Sequence, residues 1–183
     1  MSSEELKAEA QKYFEQAYQL QMQGDLEQAI LYYSKSIELY PTAEAYTFRG
    51  WTYSFQQRYD EAIEECHKAI ATDPEFGNPY NDIGCYLMAK GQDDAAIPWL
   101  ERAKQATRYA NPEFPYLNLG RIWERRRDWS KALAEFRQAY ALRPGQAELA
   151  KAVQSLVSQR NGTRFDAGTD CPAPPAMLEC GRS

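Results

Sequence analysis

Four cysteines, a single histidine and a cluster of arginines are the side chains of this chain with the most evident chemistry. A thiol works as a nucleophile when an imidazole faces it closely enough to take its proton. His67 is the sole histidine and directly follows Cys66. Neighbours on a helix point about 100° apart, so the two side chains do not face each other. His67 is expected on the outer face of its helix, and no catalytic role is expected of it. The cysteines show no CxxC spacing and one histidine cannot complete a zinc set, so no metal and no other cofactor is expected. No GxxxxGK or GxGxxG loop offers backbone amides to a phosphate.

What remains is the chemistry of binding. Trp51 and Phe55 are one helical turn apart and would join into one apolar patch. The side-chain amides of Asn78 and Asn81 carry both donor and acceptor, the equipment for reading a peptide backbone; the plainer role for Asn78, before Pro79, is to cap a helix. Arg121 and Arg125 are also one turn apart and offer guanidinium forks for a carboxylate or phosphate. Their plainer role is a solvated face paired with Glu124 or Asp128.

The elements that carry these residues repeat. Ala29, Ala62, Ala96 and Ala132 recur at a spacing of about 34 residues. Four positions after each stands a larger residue: Tyr33, Cys66, Leu100 and Phe136. Upstream, Tyr13, Tyr46, Tyr80 and Tyr116 open the copies. Each is followed four positions later by a minimal side chain: Ala17, Gly50, Gly84 and Gly120. Pro41, Pro74 and Pro144 close copies one, two and four, where proline cannot continue a helix. Such a period describes stacked helical hairpins rather than a closed globule around a cleft.

The helical segments are expected at about 2–22, 26–39, 43–56, 59–72, 77–90, 93–107, 113–126 and 129–142. Ser2 and Glu5 form a capping-box pattern at the first, and Gly24 ends it. The stretch 146–160 is expected to be a ninth helix that covers the last hairpin. Residues 1–160 thus form one solenoid. Residues 161–183, with their glycines and prolines and no period, form a flexible tail. Within the tail, Cys171 and Cys180 are either free thiols or a disulfide. Ala173–Leu178 followed by Glu179 offers an apolar-then-acidic segment that would suit the groove.

Composition narrows the function further. The 183 residues are 44% apolar and 13% aromatic, with a net charge of −5. A pI near 5.1 argues against nonspecific nucleic-acid binding, which runs on a positive field. A mean hydropathy of −0.70 suits a well-solvated elongated body. No run of 18 apolar residues predicts a membrane span. The acidic start of the chain does not read as a signal peptide, and the expected compartment is the cytoplasm.

Over residues 10–144 the chain resembles the tetratricopeptide repeat family, on the aromatic, small and closing residues named above. The resemblance implies an all-α, right-handed superhelical solenoid of antiparallel helix pairs. It also implies a concave groove lined by the first helix of each pair, and a non-enzymatic scaffold, adaptor or co-chaperone. The first copy departs from the pattern at Gln16 and Ala17. The third departs at Arg108, which stands where a proline would close it and predicts a longer loop over 108–112.

With Tyr13, Ala17 and Leu20 turned into the first hairpin, helical phase places Phe14, Tyr18, Gln21 and Met22 toward the groove. The second copy contributes Thr47, Trp51, Ser54 and Phe55. The third contributes Asn78, Asn81, Cys85 and Met88. The fourth contributes Leu117, Arg121, Glu124 and Arg125. The alternative for the rings is that Phe14, Trp51 and Phe55 pack against the next hairpin. The expected ligand is a protein or peptide, apolar near Trp51 and acidic near Arg121. A sub-class of the family clamps the terminal carboxylate of Hsp70 or Hsp90 with lysine, asparagine and arginine. The matching positions here hold Phe14, Tyr18, Phe48, Asn78 and Asp82, so no such clamp is expected. Two functions follow: an adaptor that binds a partner segment, or a secretion- or assembly-type chaperone that shelters an apolar segment of a client. Self-association through an uncapped end stays open.

Overall fold

Small residues at fixed intervals dictate how closely these helices approach. A Cβ on Gly84 would lie 2.4 Å from Leu100 Cδ2, and one on Gly120 would lie 2.8 Å from Phe136 Cε1. Each glycine sits on the first helix of a hairpin and each obstructing side chain on the second. The bare backbone is therefore what lets the pair close.

The computed structural model describes residues 2–145 and 147–160. Its helices are α1 (Ser3–Gln23), α2 (Leu26–Leu39), α3 (Ala43–Phe55), α4 (Tyr59–Thr72), α5 (Asn78–Ala89), α6 (Asp93–Ala103), α7 (Phe114–Arg125), α8 (Trp129–Leu142) and α9 (Ala147–Arg160). Consecutive helices pair as α1/α2, α3/α4, α5/α6 and α7/α8. The hairpins stack through α2/α3, α4/α5 and α6/α7, and α9 lies on α8. The first helices also touch along the stack, α1 with α3, α3 with α5 and α5 with α7, so they form one wall. The fold is an all-α, right-handed superhelical solenoid of antiparallel helix pairs. No helix among the described residues is long and apolar enough to cross a membrane.

Local chemistry starts and stops these elements. Ser2 caps α1 in a reciprocal box: the Glu5 amide donates to Ser2 Oγ at 3.3 Å and the Ser2 amide donates to the Glu5 carboxylate at 2.6 Å. Asp25, Thr42 and Asp128 cap α2, α3 and α8. Asn78 is the first residue of α5 rather than its cap, which is Gly77.

The third hairpin differs most from expectation. Helix α6 stops at Ala103, four residues early, and the following chain is laced to the loop before α5. The Arg108 amide donates to the Glu75 carbonyl and the Gly77 amide donates to the Arg108 carbonyl, both at 3.0 Å. The Arg108 guanidinium donates to Glu44 at 2.6 Å and to Asp73, and lies 4.3 Å from the Phe76 ring centroid. These contacts hold the Asp73 carboxyl below the usual aspartate range. Where the other copies close on proline, this one closes on an arginine tie, and the loop runs over 104–113.

The core is a row of clusters rather than one centre. Cys66, Ile83, Tyr86, Leu100, Leu119 and Ile122 join α4 through α7. Leu117, Leu133, Phe136 and Leu156 join α7 through α9. Ala17, Ala29 and Tyr33 form a smaller cluster in the first hairpin. The expected 161–183 tail, with its Cys171–Cys180 question, lies outside the described residues.

Candidate functional site: the wall of first helices

Helix α1 presents Lys7, Gln11, Phe14, Tyr18 and Met22 at steps of three or four residues, which puts them on one stripe. Beside that stripe the rings of α1 and α3 form a connected series. Phe48 lies at its centre, with ring centroids 5.2 Å from Phe14, 5.7 Å from Tyr18 and 5.7 Å from Trp51. Trp51 continues to Phe55 at 5.2 Å. Edge-on arrangements dominate, as ring quadrupoles favour. The series is most exposed at one end. Tyr18, Met22 and Phe55 are 37%, 53% and 39% exposed, whereas Trp51 is 3% exposed. Trp51 and Phe55 therefore do not make a joint surface patch: Trp51 is the buried floor and Phe55 the accessible edge. Thr47 and Ser54 are buried as well, each spending its hydroxyl on a backbone carbonyl, of Ala43 and Trp51 respectively, at 2.7 Å.

The third and fourth first-helices are more polar, and that polarity is mostly spent internally. Asn81 is 1% exposed. Its carbonyl accepts from Asn118 Nδ2 at 2.9 Å, and the same nitrogen lies 3.2 Å from Cys85 Sγ. Asn81 thus braces α5 against α7 and leaves no carbonyl lone pair facing solvent. Asn78, Cys85 and Met88 are half-buried and Leu117 is buried. Arg121 donates to Asn118 Oδ1 at 3.5 Å. Arg125 donates to the two carboxylate oxygens of Asp93 at 3.1 and 2.6 Å. The Arg125 pair belongs to a ladder along one edge of the stack. Gln56 donates to Glu27 at 2.8 Å, Lys90 pairs with Asp60, and Arg126 pairs with Asp94 at 2.6 Å. The ends of α3, α5 and α7 are tied in this way to the start of the preceding hairpin's second helix. Arg121 and Arg125 accordingly do not form a shared fork.

The other end of the α1 stripe opens into a cavity of about 350 Å³ lined by Lys7, Ala10, Gln11, Phe14, Ser36, Tyr40, Thr42 and Glu44. Helical phase counted backward from Phe14 leads to Gln11 and Lys7, and this continuation is the signal by which these residues can be found from sequence. Tyr40 and Glu44 come from the loop and helix that follow α2, and no periodicity points to them. His67 is exposed, its ring edge-on to Trp99 at 5.2 Å.

Three segments, 13–43, 43–76 and 78–108, match the tetratricopeptide repeat. The chain belongs to the tetratricopeptide repeat family. It is 41% identical to sperm-associated antigen 1 of Rattus norvegicus over 49% of this chain, and spans 12% of that protein's length. Among solved structures it resembles PilF of Pseudomonas aeruginosa with a TM-score of 0.77 at 22% identity, covering 87% of this chain and 71% of that one. It also resembles YrrB, described as a tetratricopeptide repeat protein with an unusual peptide-binding site. There the TM-score is 0.60 at 25% identity, over 83% and 77% of the two chains.

Proposed function

We propose that the protein is a non-enzymatic, cytoplasmic adaptor that binds an extended segment of a partner protein along its first two hairpins. The observation that carries this reading is the exposed end of the ring series. Tyr18, Met22 and Phe55 stand half in water beside a buried aromatic floor, and large apolar side chains grouped in this way usually serve an interface. The peptide-binding site described for YrrB supports a peptide as the ligand class. The polar third and fourth first-helices serve mainly to hold the stack, so the apolar part of the ligand belongs to the first two hairpins.

The test is selection of peptides from a random display library on the full chain, followed by affinity measurement on a Tyr18→Glu/Phe55→Glu double variant. Both positions are solvent-accessible, and circular dichroism checks that helicity is kept. Selected peptides should carry apolar anchors and lose about 2 kcal/mol on the double variant, roughly thirtyfold in Kd. Equal binding to both proteins would reject the first two hairpins as the working surface.

A further inference from the structure

The cavity at the start of the α1 stripe has a chemical character of its own. Its walls are the Phe14 and Tyr40 rings with Ala10 between hairpins, and its volume suits one large side chain and its neighbour. Most of the polar groups at its edge already have partners. Ser36 Oγ donates to the Ala10 carbonyl at 2.8 Å, and Thr42 Oγ1 accepts the Ala45 amide at 3.1 Å. Gln11 donates to Glu15 at 2.9 Å. Glu44 is held by Arg108 at 2.6 Å. Two tips remain without a partner among the described residues: the Lys7 ammonium and the Tyr40 hydroxyl. Both donate, and one is a full positive charge. An apolar pocket rimmed by uncommitted donors selects an apolar group with an anion beside it.

We propose that this cavity is a binding site for an apolar side chain flanked by a carboxylate on a partner peptide. Lys7 and Tyr40 hold the carboxylate, and Phe14, Tyr40 and Ala10 enclose the apolar group. The proposal deepens the groove reading above and rests on it for the identity of the ligand as a peptide. Phe14 belongs both to the cavity and to the ring series, so the two are continuous. From Lys7 to Met22 the helix rises about 22 Å, which about seven extended residues cover. The ligand therefore runs along α1, its acidic end at Lys7 and its apolar end at Tyr18, Met22 and Phe55. It does not cross the stack toward Arg121, whose neighbour Arg125 is already paired with Asp93.

The test uses two small probes on the full chain, 3-phenylpropionate and its neutral amide, followed by backbone NMR. In the wild type the carboxylate should produce saturable shifts at Ala10, Gln11, Phe14, Ser36 and Thr42, with millimolar affinity fitting so small a ligand. Replacement by the amide, or the Lys7→Gln substitution with the carboxylate probe, should each weaken binding about tenfold, the effect of one charge-assisted hydrogen bond. Lys7→Arg should restore it, and the amide should bind Lys7→Gln and wild type alike. Absence of saturable shifts at these residues would overturn the site. Equal binding of carboxylate and amide would overturn the role of Lys7. Shifts at the same residues on dilution, with no probe present, would show that a second copy fills the cavity and would also overturn the assignment. Neither probe reaches Phe55, so the result is independent of the display experiment: a seated probe upholds the cavity even if the Tyr18→Glu/Phe55→Glu variant binds selected peptides normally.

Discussion

Asp82 is 3% exposed on α5, and no ion pair reaches it among the described residues. Nearby, burial holds the Cys66 thiol well above its ordinary value, with Asp82, Glu65 and the Cys85 thiol adding to it. Desolvation lifts the Asp82 carboxyl from 3.8 to about 7, against the opposing effect of a hydrogen bond from Asn81. The folded protein therefore prefers the neutral acid, while the unfolded chain ionises it near 3.8. Below that pH both states hold the proton and Asp82 costs nothing. As pH rises toward 7 the unfolded state is increasingly favoured, and above 7 the cost is constant. It is then on the order of 4 kcal/mol at about 1.4 kcal/mol per pH unit. Asp82→Asn should accordingly raise the denaturation midpoint most at pH 8, and much less at pH 4. Urea titrations of both proteins at the two pH values check this; a gain that does not depend on pH would mean Asp82 is ionised and compensated. Residue identity alone did not reveal this burial. Helical phase gives the direction of a side chain but not how far the neighbouring first helix covers it, which is why Thr47, Trp51, Asn81 and Leu117 read as groove residues and lie buried.

At the scale of elements the sequence was far more legible. The bounds of α2, α4 and α8 follow from alternating small and large residues, because that spacing is a packing requirement met within each hairpin. Helix α6 was legible only at its start, since its end depends on Arg108 reaching Asp73 and Glu44, contacts 35 and 64 residues away in the chain. The turns inside the hairpins are a second element-scale feature. All four take a left-handed residue: Gly24 at φ 85°, Gln57 at 59°, Gly91 at 73° and Arg127 at 58°. Two copies use glycine there, and two force a side chain into a conformation that costs an L-residue about 1 kcal/mol or more. Arg127→Gly should relieve that strain. Arg127 is exposed, and no hydrogen bond or ion pair holds its side chain among the described residues. A gain of roughly 0.5–1 kcal/mol is expected after the entropy that glycine adds to the unfolded chain. Thermal denaturation of Arg127→Gly beside Arg127→Ala separates the two effects, because alanine leaves the strain in place and should bring no gain.

Over the whole molecule, stability is a sum along a line, with each hairpin relying on its neighbours. The apolar clusters are continuous from α4 to α9 through Leu119 and Ile122 on one side of α7 and Leu117 on the other. The first hairpin has less to offer. Its buried centre is Ala17, Ala29 and Tyr33, and its apolar connection onward includes Phe48, beside the Arg49–Ser34 and Gln56–Glu27 hydrogen bonds. That one ring on α3 meets Phe14 and Tyr18 of α1 and lies 6.3 Å from Tyr33 of α2. Phe48→Ala removes all three contacts and leaves a void between α1 and α3, a loss of about 3 kcal/mol for a ring of this kind. In a closed globule such a loss would lower a single transition. In a linear stack it should uncouple the end unit, so that α1 and α2 exchange their amide hydrogens well before α4 through α7 while the remainder keeps its protection. Native-state hydrogen exchange on wild type and Phe48→Ala reads this directly. Uniform loss of protection across all helices would show that the stack is cooperative from end to end. The same hairpin carries the proposed ligand surface, and a ligand that binds only the docked hairpin must strengthen its docking. A display-selected peptide should therefore slow exchange in α1 and α2 more than anywhere else, and should do so more in Phe48→Ala than in wild type, where less of the docking remains to be gained.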